Sequence, residues 1–126
     1  LLAEIEERKF LLTGDIERGA ESRLLGLDPA ADVLKVPHHG SQTSSSMPFL
    51  EAVAAEYAIV STGRQGRRRI LSEAVLERYA DFGATVFRTD SSGGIRFRYD
   101  GRWRVETARG DRGYPHPGGG TDRDAK

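Results

Sequence analysis

The sequence has 126 residues, with 19 basic and 19 acidic side chains, three histidines and no cysteine. Balanced charge excludes a global field that would draw nucleic acid or a membrane to the whole surface, and the lack of cysteine excludes disulfides and thiolate metal sites. No apolar run approaches the roughly 20 residues of a membrane helix, and the length suits one domain or part of a larger one.

The basic side is lopsided, with sixteen arginines against three lysines. Leu1–Ile5 and Lys9–Leu12 are short apolar runs separated by Glu6-Glu7-Arg8, which predicts a hairpin or a strand bent at a charged turn. The start at Leu1-Leu2, without methionine, reads as the middle of a strand, so the natural start is expected upstream. Thr13-Gly14-Asp15 closes the second run. Residues 17–25 suit a helix with Ala20, Leu24 and Leu25 on one face and Gly26 as its stop. Asp28-Pro29-Ala30-Ala31 is a loop, and residues 32–36 form a strand closed by Pro37.

Ser44-Ser45-Ser46 precedes a helix that tolerates Pro48 in its first turn and runs to about Ala55. Residues 57–61 read as a strand buried on both faces. Residues 72–82 are helical, with Val75, Leu76 and Tyr79 on one face and Gly83 ending it. Residues 84–88 form the next strand and residues 90–94 a turn. Ile95–Tyr99 alternates as a half-buried strand does. Asp100-Gly101 signals a hairpin, and residues 103–106 return. From Ala108 to Lys126 the chain is Gly, Pro and charge, and is expected to be a disordered tail in which His116 has no role. Strands alternating with helices and an antiparallel finish make the class α/β.

Chemistry concentrates at two strand ends. Asp15 follows one strand, and His38-His39-Gly40-Ser41 follows the next. A carboxylate and a histidine pair delivered to one point are what a zinc or manganese site needs. Asp15 has a second reading as a helix N-cap, and the histidines as hydrogen-bonded polar groups at a strand end. Ser41, Thr43 and Ser44, with Ser45 and Ser46, supply hydroxyls and N–H groups at a helix start, where a phosphodiester could sit; plain N-capping is the other reading. Arg64, Arg67, Arg68 and Arg69 form a basic cluster able to grip phosphates, or simply a solvated loop. Arg96, Arg98, Arg102 and Arg104 alternate with Phe97, Tyr99 and Trp103. That pattern turns the aromatics inward and leaves an outer basic face poor for base stacking.

Taken together, Thr13-Gly14-Asp15, Val36-Pro37-His38-His39-Gly40-Ser41, Ser61-Thr62-Gly63, Val75-Leu76-Glu77-Arg78, Gly83–Asp90 and Gly93-Gly94-Ile95 resemble, in that order, the C-terminal domain of ComEC-type competence proteins. The resemblance covers about residues 2–106. It implies the second half of an αββα metallo-β-lactamase-like sandwich at 1–107, with the tail at 108–126. It also implies a bacterial inner-membrane protein whose channel portion imports single-stranded DNA, and a two-metal nuclease acting on DNA. On that likeness Asp15 bridges the metals, one of His39 and His38 ligates while the other orients or contacts substrate, and Ser41, Thr43, Ser44, Arg64 and Arg68 are candidate phosphate contacts. His38 and Ser41 are the catalytic candidates.

Two departures weigh against activity in this chain. The family's His-x-His-x-Asp-His motif belongs before residue 1, and the histidine of its Asn-x-Tyr-Gly-His-Pro motif falls at Ile70. Three readings follow. One is a fragment of a metal-dependent phosphodiester hydrolase, inactive alone. Another is a degenerate module kept for binding or scaffolding. The third is a hydrolase of other esters, such as phosphorylcholine esters, cyclic phosphodiesters or lactones. Half a sandwich is also expected to leave a sheet face and edges bare, favouring self-association with another copy or the missing half.

Overall fold

The computed structural model describes residues 1–63 and 70–113. Arg64, Arg67, Arg68, Arg69, His116 and the rest of residues 114–126 lie outside the described residues, and with them the expected arginine cluster and most of the expected tail. Hydrogen bonding continues beyond Thr107: the Ala108 N–H donates to the Gly94 carbonyl and the Arg109 N–H to that of Ser92.

Strands β1 (Leu2–Ile5) and β2 (Arg8–Leu12) form the expected hairpin. Glu6 and Glu7 both have positive φ (47° and 63°), as a two-residue turn between twisted strands requires. Then follow α1 (Arg18–Leu24), β3 (Val33–Lys35), α2 (Met47–Val53), β4 (Tyr57–Val60), α3 (Glu73–Phe82), β5 (Thr85–Arg88), α4 (Thr89–Ser92), β6 (Ile95–Tyr99) and β7 (Trp103–Thr107). The class is α/β. One sheet has the order β1-β2-β3-β4-β5, with β2 to β5 parallel; β6 and β7 pair separately as an antiparallel hairpin.

Sequential parallel strands joined by right-handed crossovers place their connecting helices on the same side of the sheet. The core follows from that. Leu11, Leu34, Val36, Ala58, Val60 and Val86 cluster with Phe49, Leu50 and Val53 of α2 and Val75 and Tyr79 of α3. The alternate residues Val33, Tyr57 and Phe87 point to the other face, where they meet Phe97, Ile95 and Val105 of the hairpin. Phe97 packs edge-on to Phe10 and to Tyr57, both with centroids 5.6 Å apart. The second face is therefore not bare, which corrects the expectation of an uncovered sheet: β6–β7 lies on it because its inward aromatics need a partner.

Two local readings also change. Gly26 does not stop the first helix; it lies inside a 3-10 turn, Leu25–Leu27, and the chain leaves through Asp28 in the left-handed region. Leu25, expected on the buried face, is 40% exposed, whereas Glu21 is fully buried. Residues 89–92, inside and beside the expected turn, form one helical turn.

Candidate metal centre

The site forms where β2 and β3 end side by side. The Thr13 hydroxyl donates to the Lys35 carbonyl (3.0 Å), and the His38 N–H donates to the Gly14 carbonyl (3.0 Å). Gly14 supplies a φ of +62°, which brings Asp15 round to face the second loop. Asp15 does not cap α1; the N-cap position is Glu17.

Beyond β3 the chain makes a left-handed turn. His38 (φ 48°, ψ 42°), His39 (φ 53°, ψ 26°) and Gly40 (φ 80°) have consecutive positive φ values. For residues with a Cβ this conformation costs roughly 1–2 kcal/mol each, and it persists only where surrounding contacts over-determine it. Those contacts are visible. The Ser44 hydroxyl bonds the carbonyls of Pro37 (3.0 Å) and Ser41 (2.9 Å). The Ser72 N–H donates to the Gly40 carbonyl (2.9 Å). At Gly40 a Cβ would fall 2.4 Å from Leu71 Cδ1, so any other residue there would have to displace that methyl as well as adopt a φ of +80°.

The turn separates the two histidines. His39 Nδ1 lies 2.6 Å from the Ser61 carbonyl. A carbonyl only accepts, so Nδ1 donates to it, and Nε2 is the ring nitrogen left for another partner. That Nε2 lies 3.4 Å from Asp15 Oδ1. A backbone carbonyl behind one ring nitrogen is the arrangement that aims the other nitrogen at a metal. Ser61 is in turn held near the end of β5: the Thr62 N–H donates to the Thr89 hydroxyl (2.8 Å), which donates back to the Thr62 carbonyl (2.7 Å). His38 has other partners. Its Nδ1 lies 3.4 Å from Glu17 Oε1 and 3.4 Å from the Thr43 hydroxyl, which itself donates to Glu17 (2.9 Å). Ser41 Oγ completes this second cluster, 3.1 Å from Thr43 Oγ1.

The donor types at Asp15 and His39 suit zinc or manganese, and both side chains are partly exposed and accessible. They supply two of the four ligands a closed zinc shell takes. Among the described residues no group of three or more His, Cys, Asp or Glu side chains is placed to hold a metal. Ile70, whose side chain cannot ligate a metal, is 48% exposed.

The serine-rich segment behaves differently from expectation. Ser44 is fully buried and its hydroxyl points into the loop, so it offers no oxygen to a substrate. The N–H groups of Ser45 and Ser46, the expected anion seat, both donate to the carboxylate of Glu21, Ser46 at 3.0 Å. An acid of the protein itself therefore occupies the place proposed for a phosphodiester. The Ser45 hydroxyl meets the Tyr79 hydroxyl (2.9 Å), and Arg78 Nη1 donates to the carbonyls of Ser44 and Ser45. Burial pushes the Tyr79 hydroxyl far above its ordinary range, keeping it protonated. Glu17, Glu21 and Ser61 were missed by sequence reasoning. Glu21 carried one faint signal, its place one residue beside the expected apolar stripe of α1.

No protein-family model matches the chain. It is 37% identical over 95 residues to "ComE operon protein 3" of Bacillus subtilis (strain 168), covering 74% of this chain and 12% of that protein. It is 41% identical over 91 residues to "Competence protein ComA" of Neisseria gonorrhoeae, covering 70% of this chain and 13% of that one. The chain is homologous to one segment of the competence proteins. "Recombination protein 2" of Haemophilus influenzae is 35% identical over 113 residues, covering 86% of this chain and 14% of that protein. The chain thus spans about an eighth of the length of the curated relatives it matches. No described helix is long and apolar enough to cross a membrane.

Proposed function

We propose that the chain is the second half of an αββα, metallo-β-lactamase-like domain of a ComEC-type DNA-uptake protein, and that the complete domain is a metal-dependent phosphodiester hydrolase acting on single-stranded DNA. The full-length protein would be bacterial and held at the inner membrane by a channel portion. The observation that carries this reading is His39, braced by the Ser61 carbonyl so that Nε2 faces the Asp15 carboxylate. Homology to competence proteins supports the setting.

Asp15 and His39 would hold one or both of two divalent cations, zinc or manganese, with the remaining ligands supplied from outside the described residues. When bound, the cations supply Lewis acidity toward a phosphoryl oxygen and toward water. Asp15 would contribute a carboxylate oxygen, and His39 the Nε2 nitrogen left by the hydrogen bond from Nδ1 to Ser61. His38, oriented by Glu17, handles the proton near the leaving oxygen. Ser41 and Thr43 present hydroxyls beside it for a phosphate oxygen. Arg64 and Arg68 remain candidates for the same phosphate on charge alone. Ser44 is left out, since its hydroxyl is committed to the loop.

A protein extended upstream through a His-x-His-x-Asp-His segment, loaded with manganese or zinc, is expected to cut labelled single-stranded DNA. Asp15→Ala and His39→Ala are expected to lower the rate by at least a hundredfold. An uncut strand with metal bound would refute the nuclease reading. A catalytically degenerate binding or scaffold module is the second reading, favoured by Ile70 standing where the family has a histidine. Retained DNA binding without turnover, in a protein whose upstream motif is eroded, would establish it. Turnover of another phosphoester or a lactone in preference to DNA would keep the fold and change the substrate.

A further inference from the structure

The opposite end of the sheet holds a second feature that the metal reading does not use. A groove of about 490 Å³ runs between the hairpin and the starts of β4 and β5, lined among others by Tyr57, Phe87, Arg102, Trp103, Arg104 and Arg112. It lies at the amino ends of the parallel strands, because Trp103 Nε1 donates to the Glu6 carbonyl in the β1–β2 turn (3.3 Å). Asp15 and His39 are beyond the carboxyl ends. Three of the six named residues are arginines. Arg104 pairs with Asp100 across 3.4 Å at an exposed position, and Asp111, which also lines the groove, accepts the Ser92 hydroxyl (2.7 Å). Arg8 stands behind the wall, with Nη2 3.7 Å from Glu56 Oε2. Its guanidinium lies 5.6 Å from the Tyr57 ring centre and 5.5 Å from that of Trp103, and its buried Nη1 has no hydrogen-bond partner among the described residues.

The hairpin tip corrects the expectation that every aromatic of this ribbon faces inward. Tyr99 belongs to the inward set by alternation, but it is 44% exposed. Its ring centre lies 5.4 Å from that of Trp103. An exposed aromatic ring beside a groove of arginines combines the two elements that bind unpaired nucleic acid: a π-face for a base and planar cations for phosphates. We infer that this groove and tip form a holding site for a single-stranded nucleic acid, with backbone phosphates on Arg102, Arg104 and Arg112 and one base on Tyr99. The site is separate from the metal centre and needs no metal.

The test is fluorescence anisotropy of a labelled oligothymidylate at low salt, with the full chain and no added metal. Arg102 and Arg112 are exposed, so the double reversal R102E/R112E is expected to leave the thermal melt unchanged while weakening binding at least tenfold. It should also flatten the plot of log affinity against log salt by about 0.7 for each phosphate that is no longer neutralised. Tyr99→Ala is expected to weaken binding several-fold. Because no metal is added, failure of the proposed metal centre would leave these results standing. The inference is overturned if the parent does not bind, if the reversals and Tyr99→Ala bind equally well, or if duplex DNA or phosphatidylserine vesicles are preferred to the single strand.

Discussion

Glu21 supports the histidine turn from outside it. Its buried carboxylate accepts two backbone N–H groups, and those residues connect through Ser44 to the carbonyl of Pro37, where the turn begins. Glu21→Ala would leave the buried Ser45 N–H and the part-buried Ser46 N–H without that acceptor, a destabilisation of roughly 1–3 kcal/mol for the buried group and less for the other. Urea denaturation should show that drop, with Glu21→Gln recovering part of it. Gly40→Ala meets both a left-handed φ and the Leu71 methyl. It is expected to cost about 1–3 kcal/mol and to disturb the His39 ring, observable as a shift of its imidazole resonances. The residue types of the site were legible because two of the three histidines stand together just after one strand and Asp15 stands just after the preceding one. Their division into two pairs, Asp15 with His39 and Glu17 with His38, was not. It depends on two consecutive left-handed residues, which no spacing rule reports. Glu21 was illegible for a related reason: its partners lie 24 and 25 residues further on, beyond any helical period.

At the scale of elements, periodicity placed the strands and the helices between them, and missed at the ends. Gly26 failed as a stop because the chain tightened to a 3-10 turn and put the left-handed exit at Asp28. The turn after β5 became α4 because Arg88 and Asp90 lock across it. Arg88 Nε and Nη2 donate to the two oxygens of Asp90 (3.0 and 2.7 Å). Hydrogen bonding from Arg88 holds the Asp90 carboxyl below its ordinary range, against the opposing effect of its partial burial. A carboxyl lowered in the folded state gives stability that is present above the unfolded value and lost as pH falls through the lowered one. The parent should therefore lose stability with acid below the ordinary aspartate range, and Asp90→Asn should flatten that part of the curve. Chemical denaturation across acidic pH reads this directly. The pair is only partly exposed, so salt should weaken the effect less than it would for a fully solvated pair.

For the whole molecule, the right-handed crossover rule accounts for helices on one face and leaves the other for the hairpin. The α/β class was legible in the order of elements, whereas the packing of β6–β7 on the back of the sheet was not, because alternation shows which side chains turn inward and not what they meet. The sheet still ends at β1, an edge strand whose flank exposes Leu2 (45%) and Ile5 (53%). An unprotected apolar edge pairs with other chains. Sedimentation velocity is expected to show concentration-dependent association, reduced by Ile5→Lys; a monomer at all concentrations would mean the edge is adequately guarded by Glu4, Glu6 and Glu7.

The central claim is that Asp15 and His39 share one metal. Calorimetric titration of zinc and manganese into the parent chain, Asp15→Ala and His39→Ala tests it most directly. One site is expected in the parent, weakened by the missing ligands but measurable, and abolished in both variants. Binding that survives either substitution, or no binding to the parent at all, would contradict the claim.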